Sequence, residues 1–159
     1  MVAFLWKLLL DRIPTRRNLA RQNCLPSEAP TVCVLCGRAE ESSKHLFLHC
    51  NVTNYVWRKV KRWLDFSFIT PNLFVHWECW SMEGRNKRIG KGLWLIWHTT
   101  IWVIWPSRNH MIFQNEAKEI DDLVEEIMVI SWRRSLSRLN ISTCLYYERS
   151  WEPQECLTR

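Results

Sequence analysis

Four residues of the types that bind metal ions lie within eighteen positions of this sequence, in the pattern C-x2-C-x8-H-x4-C. A C-x2-C turn lets two thiolates point into one small volume, and Gly37, directly after it, can adopt the positive φ that such a tight turn often needs. Three thiolates and one imidazole form a closed tetrahedral set, with no open position for a water nucleophile. The spacing therefore predicts a structural zinc ion bound by Cys33, Cys36, His45 and Cys50.

Two other interpretations of this pattern remain open. Free cysteines are often ordinary small buried residues, although four ligand-type residues at permitted spacings are hard to obtain from composition alone. His49 lies four residues after His45, so a Cys2His2 set with His49 in place of Cys50 is geometrically possible. Cys50 is preferred because a thiolate is the stronger ligand. The remaining histidines are interpreted as ordinary core or surface residues: His76, His98 and His110.

The number of cysteines also bears on the cellular compartment in which the protein is found. The chain has seven Cys, an odd number, and the four outside the metal pattern are interpreted as needing no disulfide partner. The apolar segment 1–10 contains Lys7 and is followed by Asp11, which is typical of a core helix and not of a secretion signal. The longest apolar stretch, residues 93–105, is well short of the roughly 20 residues that span a bilayer. These features predict an intracellular protein with no membrane partner.

Apolar residues recur at helical spacing along most of the chain, and no alternating run is long enough to form a sheet. The predicted fold class is mostly α, a small helical domain with a zinc-knuckle-like Cys3His insertion and a disordered C-terminal tail. We expect four regions along the sequence: a zinc-binding helical region at 1–64 with the knuckle at 33–50, a loop or connecting region at 65–92, a Trp-rich helix and a long C-terminal helix at 93–139, and a tail at 140–159.

Capping residues predict where several helices begin. Thr15 is a candidate N-cap for a short second helix, and Ser42 or the serine after it can cap a helix through the second half of the metal pattern. Asn51 or Thr53 can begin the next helix. The last long helix, 120–139, has acidic residues near its start and arginines near its end, which suits the helix dipole.

Eleven Trp residues make indoles a main component of any core that this chain can form. Trp94, Trp97, Ile101 and Trp105 recur at three and four residues, which predicts one buried helical face. Pro106 is expected to interrupt this helix. Six tryptophans are expected to pack as one indole-rich core: Trp57, Trp63, Trp94, Trp97, Trp102 and Trp105.

The formal net charge of +6 is unevenly distributed. Residues 1–92 carry a net charge of +8, whereas residues 93–159 carry −2. The basic side chains could follow a phosphate backbone, and solvated helix faces would explain them equally well. The candidate nucleic-acid-binding residues are Arg12, Arg16, Arg17, Arg21, Arg58, Lys59, Lys61 and Arg62, and a third basic cluster contains Arg85, Lys87, Arg88 and Lys91.

No catalytic site is predicted. A polymerase needs a carboxylate pair on a hairpin to hold two metal ions, whereas the adjacent Asp121 and Asp122 lie at the start of a predicted helix, where acidic residues are typical. The sequence contains no Gly-rich phosphate loop and no G-x-S-x-G motif. Cys79, Cys144 and Cys156 have no spacing typical of a nucleophile or of a second zinc site. The sequence therefore favours a protein that is not an enzyme.

Several short segments form a series that can be compared with known families. They are Phe4-Leu-Trp-Lys, Arg12-Ile-Pro-Thr-Arg, Asn18-Leu, Cys33-Val-Leu-Cys-Gly, Glu41-Ser, His45-Leu-Phe-Leu-His-Cys, Trp102-Val-Ile-Trp, Arg108-Asn and Phe113. Over most of the chain, from residue 1 to about residue 139, the series resembles the zinc-binding domain found after the polymerase in reverse transcriptases of plant non-LTR (LINE-type) retrotransposons. The chain starts inside the family's first helix, as an N-terminally truncated member would, and Pro106 falls where relatives have a continuous helix.

The resemblance implies a ligand set and a function. It assigns the zinc ion to Cys33, Cys36, His45 and Cys50, which favours Cys50 over His49. It also implies that the domain helps its reverse transcriptase polymerase to engage nucleic acid.

Three functional hypotheses are compatible with the sequence. The leading one is a non-catalytic zinc-binding accessory domain that binds RNA or single-stranded DNA weakly and without sequence preference. Another is a protein-interaction or packing module that docks on the polymerase and exposes apolar surface when alone. The last is a decayed retroelement fragment without activity.

Overall fold

The computed structural model describes residues 2–66, 72–82, 87–139 and 144–158. These residues contain no strand, and none of their helices combines the length and apolarity needed to cross a bilayer. The predicted mostly α fold class is confirmed. The elements in chain order are α1 (Val2–Leu9), α2 (Arg16–Arg21), a π-helical turn (His45–His49), α3 (Asn51–Trp63), α4 (Leu73–Met82), α5 (Lys87–Gln114), α6 (Ile120–Leu139), α7 (Tyr146–Trp151) and α8 (Pro153–Thr158).

Most of the predicted helix starts are confirmed. The Thr15 side chain accepts a hydrogen bond from the backbone N–H of Asn18 at 3.3 Å and so caps α2. Ser42 Oγ accepts a hydrogen bond from the backbone N–H of His45 at 3.1 Å, at the start of the π-helical turn. Helix α3 begins at Asn51, and α6 has the predicted bounds. Local capping chemistry therefore fixes the starts of α2 and of the π-helical turn.

Helix α5 lies at the centre of the fold and packs against α4 and α6. It is continuous although Pro106 lies inside it, so the predicted interruption is wrong. A proline inside a helix removes one hydrogen bond and crowds the preceding turn, which costs about 3 kcal/mol. Side chains on both sides are buried, with Ile104 at 1% and Arg108 at 4% exposure. Packing on both sides therefore holds the helix through the proline.

Residues 65–92, predicted as a connecting region, contain α4 and the first turns of α5. This prediction is wrong for α4 because its sequence, LFVHWECWSM, has apolar residues on nearly every side. Such a helix lacks the one-sided apolar stripe that reveals an amphipathic helix in a sequence. Its Trp80 is fully buried and its His76 is 3% exposed, so α4 contributes directly to the core.

One aromatic cluster of the core surrounds His76. The ring centroid of Trp57 lies 4.5 Å from that of His76, and the centroids of Trp80 and Trp97 lie at 6.0 and 6.3 Å. Trp97 Nε1 donates a hydrogen bond to His76 Nδ1 at 2.8 Å, as a buried indole requires a partner for its N–H. This cluster joins α3, α4 and α5.

Two further predicted core tryptophans, Trp63 and Trp105, are partly buried and pack against the same hydrophobic core. Trp105 packs against Phe4 of α1 with ring centroids 5.4 Å apart, and Trp102 touches the same ring while remaining 38% exposed. Trp63 donates its indole N–H to the backbone oxygen of Arg149 at 3.2 Å. The prediction of one indole-rich core is therefore confirmed for Trp57, Trp63, Trp97 and Trp105, whereas Trp94 and Trp102 lie outside that core.

Acid should destabilise the fold through His76. Burial lowers the pKa of His76 to about 3, compared with about 6.5 in an unfolded chain. The stability that depends on neutral His76 is complete above about pH 6.5 and is lost as the pH falls toward about 3, because only the unfolded state binds the proton over that range. Between about pH 7 and about pH 5, this residue should lower the free energy of unfolding by about 2 kcal/mol.

Denaturant unfolding of the wild type and of His76→Gln at both pH values measures this effect. A Gln carbonyl can still accept the Trp97 hydrogen bond, but it does not titrate. The variant should therefore lose about 2 kcal/mol less than the wild type on acidification. Equal losses in the two proteins would contradict the prediction.

Residues 144–158, within the predicted disordered tail, form the six-residue helices α7 and α8. Helices of this length are not stable alone, so they depend on contacts with the rest of the fold. Leu157 is fully buried and packs on Gly92 of α5, where an added Cβ would lie 2.2 Å from the leucine side chain. Residues 140–143 and 159 lie outside the described residues.

A disulfide bond between Cys144 and Cys156 also closes this tail. The expectation that these cysteines need no partner is therefore wrong. Their Cα atoms are 5.9 Å apart because α7 and α8 fold back on each other, and this distance lies within the range that a disulfide spans. A separation of twelve residues carries no pairing signal in the sequence itself.

Candidate metal centre and its surroundings

The knuckle, residues 33–50, brings the four predicted metal-binding side chains together. Their donor atoms all lie within 4.8 Å of one another. The Sγ atoms of Cys33 and Cys50 are 3.9 Å apart, and Cys36 Sγ lies 3.2 Å from His45 Nε2. A tetrahedral zinc ion with Zn–S bonds near 2.3 Å places neighbouring sulfurs about 3.8 Å apart. The donor set therefore fits a zinc ion in both chemistry and size.

The backbone of the knuckle explains why the first two cysteines face each other. An antiparallel bridge between Val32 and Glu40 closes the loop, and the Cys33 N–H donates to the Ala39 carbonyl at 2.7 Å. Gly37 has φ +63°, which confirms the positive φ expected from the sequence, and its N–H donates to the Cys33 carbonyl at 2.8 Å. A side chain at Gly37 would be strained in this turn.

The surroundings of Cys50 favour a thiolate. Cys50 is the N-cap of α3, where the helix dipole stabilises negative charge, and the nearby backbone N–H groups of Val52 and Thr53 lower the pKa of its thiol. The hydrogen bond from the Cys33 thiol lowers the pKa of Cys50 and raises the pKa of Cys33, whose burial raises it further. Of these two cysteines, Cys50 is therefore the one whose environment favours the thiolate.

The structure brings Cys50, and not His49, into the group of converging donors. His49 is exposed on the π-helical turn, whereas Cys50 is fully buried. Burial lowers the pKa of His45, which keeps this imidazole in the neutral form that a metal ion requires.

Glu41 connects the knuckle to the rest of the fold. This carboxylate is fully buried and accepts hydrogen bonds from the backbone N–H groups of Arg16 at 2.9 Å and Val34 at 3.3 Å. It also forms an ion pair with Arg108 of α5, with Nη2 at 2.5 Å. The two partners are 67 positions apart, so no local pattern could reveal the pair, although both residues belong to the motif series described above.

The eight predicted nucleic-acid-binding residues differ in how far they are engaged within the protein. Arg16 donates to the backbone carbonyl of Val32, directly before the knuckle, at 2.8 Å. Arg17 pairs with Glu40 at 3.4 Å, and Lys59 pairs with Asp121. Arg58 and the half-buried Lys61 also interact with neighbouring residues within the protein. Three residues are exposed around α2 and on α3: Arg12, Arg21 and Arg62.

The remaining predicted residues occupy helix ends. Asp121 and Asp122 are exposed in the first turn of α6, as the sequence predicts. Arg85 of the third basic cluster lies outside the described residues. The other members of that cluster lie in the first turns of α5: Lys87, Arg88 and Lys91.

A comparison with protein families finds one match to the N-terminal part of this chain. Residues 1–57 match the model of the zf-RVT family, which is described as zinc-binding in reverse transcriptase. The matched segment contains the four converging donors and ends inside α3. No curated protein and no solved structure matches the chain. Residues 1–57 are therefore similar to a zinc-binding accessory domain, and not to a catalytic polymerase domain.

Proposed function

We propose that this protein is a non-catalytic zinc-binding accessory domain of a retroelement reverse transcriptase. The observation that supports the proposal is the convergence of Cys33, Cys36, His45 and Cys50 inside a segment similar to a zinc-binding family of these enzymes. A Cys3His set leaves no coordination position for substrate, so the ion has a structural role. The motif series further favours a LINE-type element of a plant, and the proposal includes an intracellular site of action.

The proposal includes weak binding of RNA or single-stranded DNA without sequence preference. Its support is electrostatic, since residues 1–92 carry a net charge of +8 and several arginines near the knuckle are exposed. Phosphate contacts from arginine and lysine provide affinity without reading sequence. The polymerase would supply the catalytic groups, and this domain would help to retain the template.

Salt dependence tests the nucleic-acid part of the proposal. Binding of a labelled single-stranded oligonucleotide, followed by fluorescence anisotropy, should weaken as salt rises, because each phosphate contact releases counterions. The double variant Arg12→Gln with Arg21→Gln should reduce the slope of log K against log salt by about 1.4, at about 0.7 per contact. A double variant of exposed arginines on α6, Arg133→Gln with Arg138→Gln, is the matched control. An unchanged slope, or the same change in the control, would exclude these contacts.

The second candidate function is docking on the polymerase. Its specific support is the exposure of large apolar side chains: Trp6 is 64% exposed, Phe113 77% and Trp151 85%. A contiguous exposed apolar patch often marks a protein interface, so this function requires these side chains to share one surface. If the same titration gives no nucleic-acid signal at any salt concentration, and sedimentation shows self-association of the isolated chain, docking becomes the better explanation.

A further inference from the structure

A pocket of about 420 Å³ opens beside the metal centre, where the π-helical turn, α3 and α4 meet. One side of α3 forms much of its wall, because Asn54, Trp57, Arg58 and Lys61 recur at the spacing that places side chains on one helix face. Pockets of roughly 300 to 1,000 Å³ are typical of small-ligand sites. This pocket therefore has room for a small molecule or for one unit of a polymer.

The inner wall of the pocket is aromatic and uncharged. Trp57 and His76 line it and are each 3% exposed, and Leu48 lies beside them. The Trp57 indole is held in place by the hydrogen bond that it donates to the Phe47 carbonyl at 2.6 Å. Because burial lowers the pKa of His76 to about 3, this imidazole is neutral near neutral pH. The wall is therefore a fixed aromatic surface, in which the two rings lie at 78° to each other.

The outer part of the pocket is cationic. Arg58 and Asn54 are exposed, Lys61 is half-buried, and the exposed His49 adds an imidazole. Burial and the charge of Arg58 lower the pKa of Lys61, so the two cations act on each other. The described residues that line the pocket include no Asp or Glu. A guanidinium, an ammonium and an amide around one opening match the chemistry of a phosphate group.

An exposed aromatic ring lies next to the cationic side. Tyr55 is 52% exposed, and the guanidinium carbon of Arg58 lies 5.5 Å from its ring centroid. Bases of single-stranded nucleic acids stack on such rings regardless of their identity. A phosphate on Arg58 would place the neighbouring base within reach of Tyr55.

We propose that this pocket and the adjoining Tyr55 ring bind one nucleotide of a single-stranded RNA or DNA, with its phosphate on Arg58 and Lys61 at the opening and its base on Tyr55 beside it. The inference rests on the proposed nucleic-acid function and adds a defined point of engagement to it. It also gives the zinc ion a role in shaping the site, since His49 and Leu48 lie in the short segment between the ligands His45 and Cys50.

One variant in the pocket, one at the adjoining Tyr55 and a matched control test this site. Arg58→Gln should weaken binding of a short labelled oligouridine about tenfold, because it removes a charge-assisted hydrogen bond. Tyr55→Ala should weaken it about fivefold or more through lost stacking. Arg62→Gln removes the same charge from an exposed position of α3 outside the pocket, and it should weaken oligouridine binding only about twofold. Zinc content and thermal unfolding of each variant report whether the fold is intact.

A free nucleotide provides the second measurement. Adenosine monophosphate should shift the Trp57 indole resonance in ¹H–¹⁵N spectra of the wild type and of Arg62→Gln, but not of Arg58→Gln. Equal losses of oligouridine affinity in Arg58→Gln and Arg62→Gln would overturn the proposed pocket site, while general phosphate contacts would remain supported. Binding of adenosine monophosphate without binding of oligouridine would overturn the assignment to a strand. A wild type that binds neither ligand would overturn the pocket and the proposed nucleic-acid function together.

Discussion

Removing zinc should unfold the segment from Cys33 to Cys50 and destabilise the whole chain. The four donors lie within 4.8 Å of one another, so without a cation the fold must hold three sulfurs and an imidazole together with few compensating contacts. Structural zinc supplies on the order of 10 kcal/mol of apparent folding free energy in small zinc-dependent peptides at neutral pH. We therefore expect this to be the largest single perturbation of the protein.

Elemental analysis, thermal unfolding and hydrogen exchange measure this effect. The purified protein should contain one zinc ion per chain, and a chelator should abolish amide protection across residues 33–50. Cys36→Ser should reproduce the effect, whereas Cys24→Ser, at an exposed cysteine outside the cluster, should leave zinc content and unfolding temperature unchanged. His49→Gln should also retain zinc, because His49 lies outside the converging donors. A metal-free protein with full protection would contradict the proposed site.

Glu41→Gln should lower the free energy of unfolding by about 3 to 5 kcal/mol. The substitution keeps the shape of the side chain but leaves Arg108, which is 4% exposed, as a buried cation without its counter-charge. It also weakens the hydrogen bonds that the carboxylate accepts from the backbone of Arg16 and Val34. Denaturant unfolding with zinc in excess measures the loss separately from metal release.

Glu40, the residue directly before Glu41, provides a close control for this prediction. Glu40 pairs with Arg17 at 3.4 Å, but both side chains are about half exposed. Glu40→Gln should therefore change stability by only about 0 to 1 kcal/mol. Combining Glu41→Gln with Arg108→Met should cost less than the sum of the two single changes, because the double variant removes both members of the buried pair. If Glu40→Gln and Glu41→Gln lower the free energy of unfolding equally, burial of the Glu41–Arg108 pair contributes nothing to stability.

The sequence predicts the parts of the fold that depend on local chemistry. The cap at Thr15, the start of α3 at Asn51 and the positive φ of Gly37 all follow from interactions within a few residues. Helix α4 is not predicted, because a helix that is apolar on nearly every side has no amphipathic period. The continuity of α5 through Pro106 is not predicted either, because packing from other elements outweighs the local preference.

The distinction between local interactions and packing of distant elements also applies to the candidate site. The convergence of the four donors is predicted because their spacing lies within one short segment. The pocket beside them is not, since it needs His76 from α4 to approach the α3 face that contains Arg58. The disulfide between Cys144 and Cys156 is missed for a similar reason, as only the packing of α7 on α8 brings the two sulfurs together.

The ion pair between Glu41 and Arg108 shows that the family similarity and the folding unit end at different residues. Similarity to the zinc-binding family ends at residue 57, but the guanidinium that neutralises the buried carboxylate comes from α5, 67 positions after it. A fragment cut at the end of the similarity would contain every metal donor and still leave an uncompensated charge at its centre. The smallest autonomous folding unit around the knuckle therefore extends at least through α5, about twice as far along the chain as the similarity that identifies it.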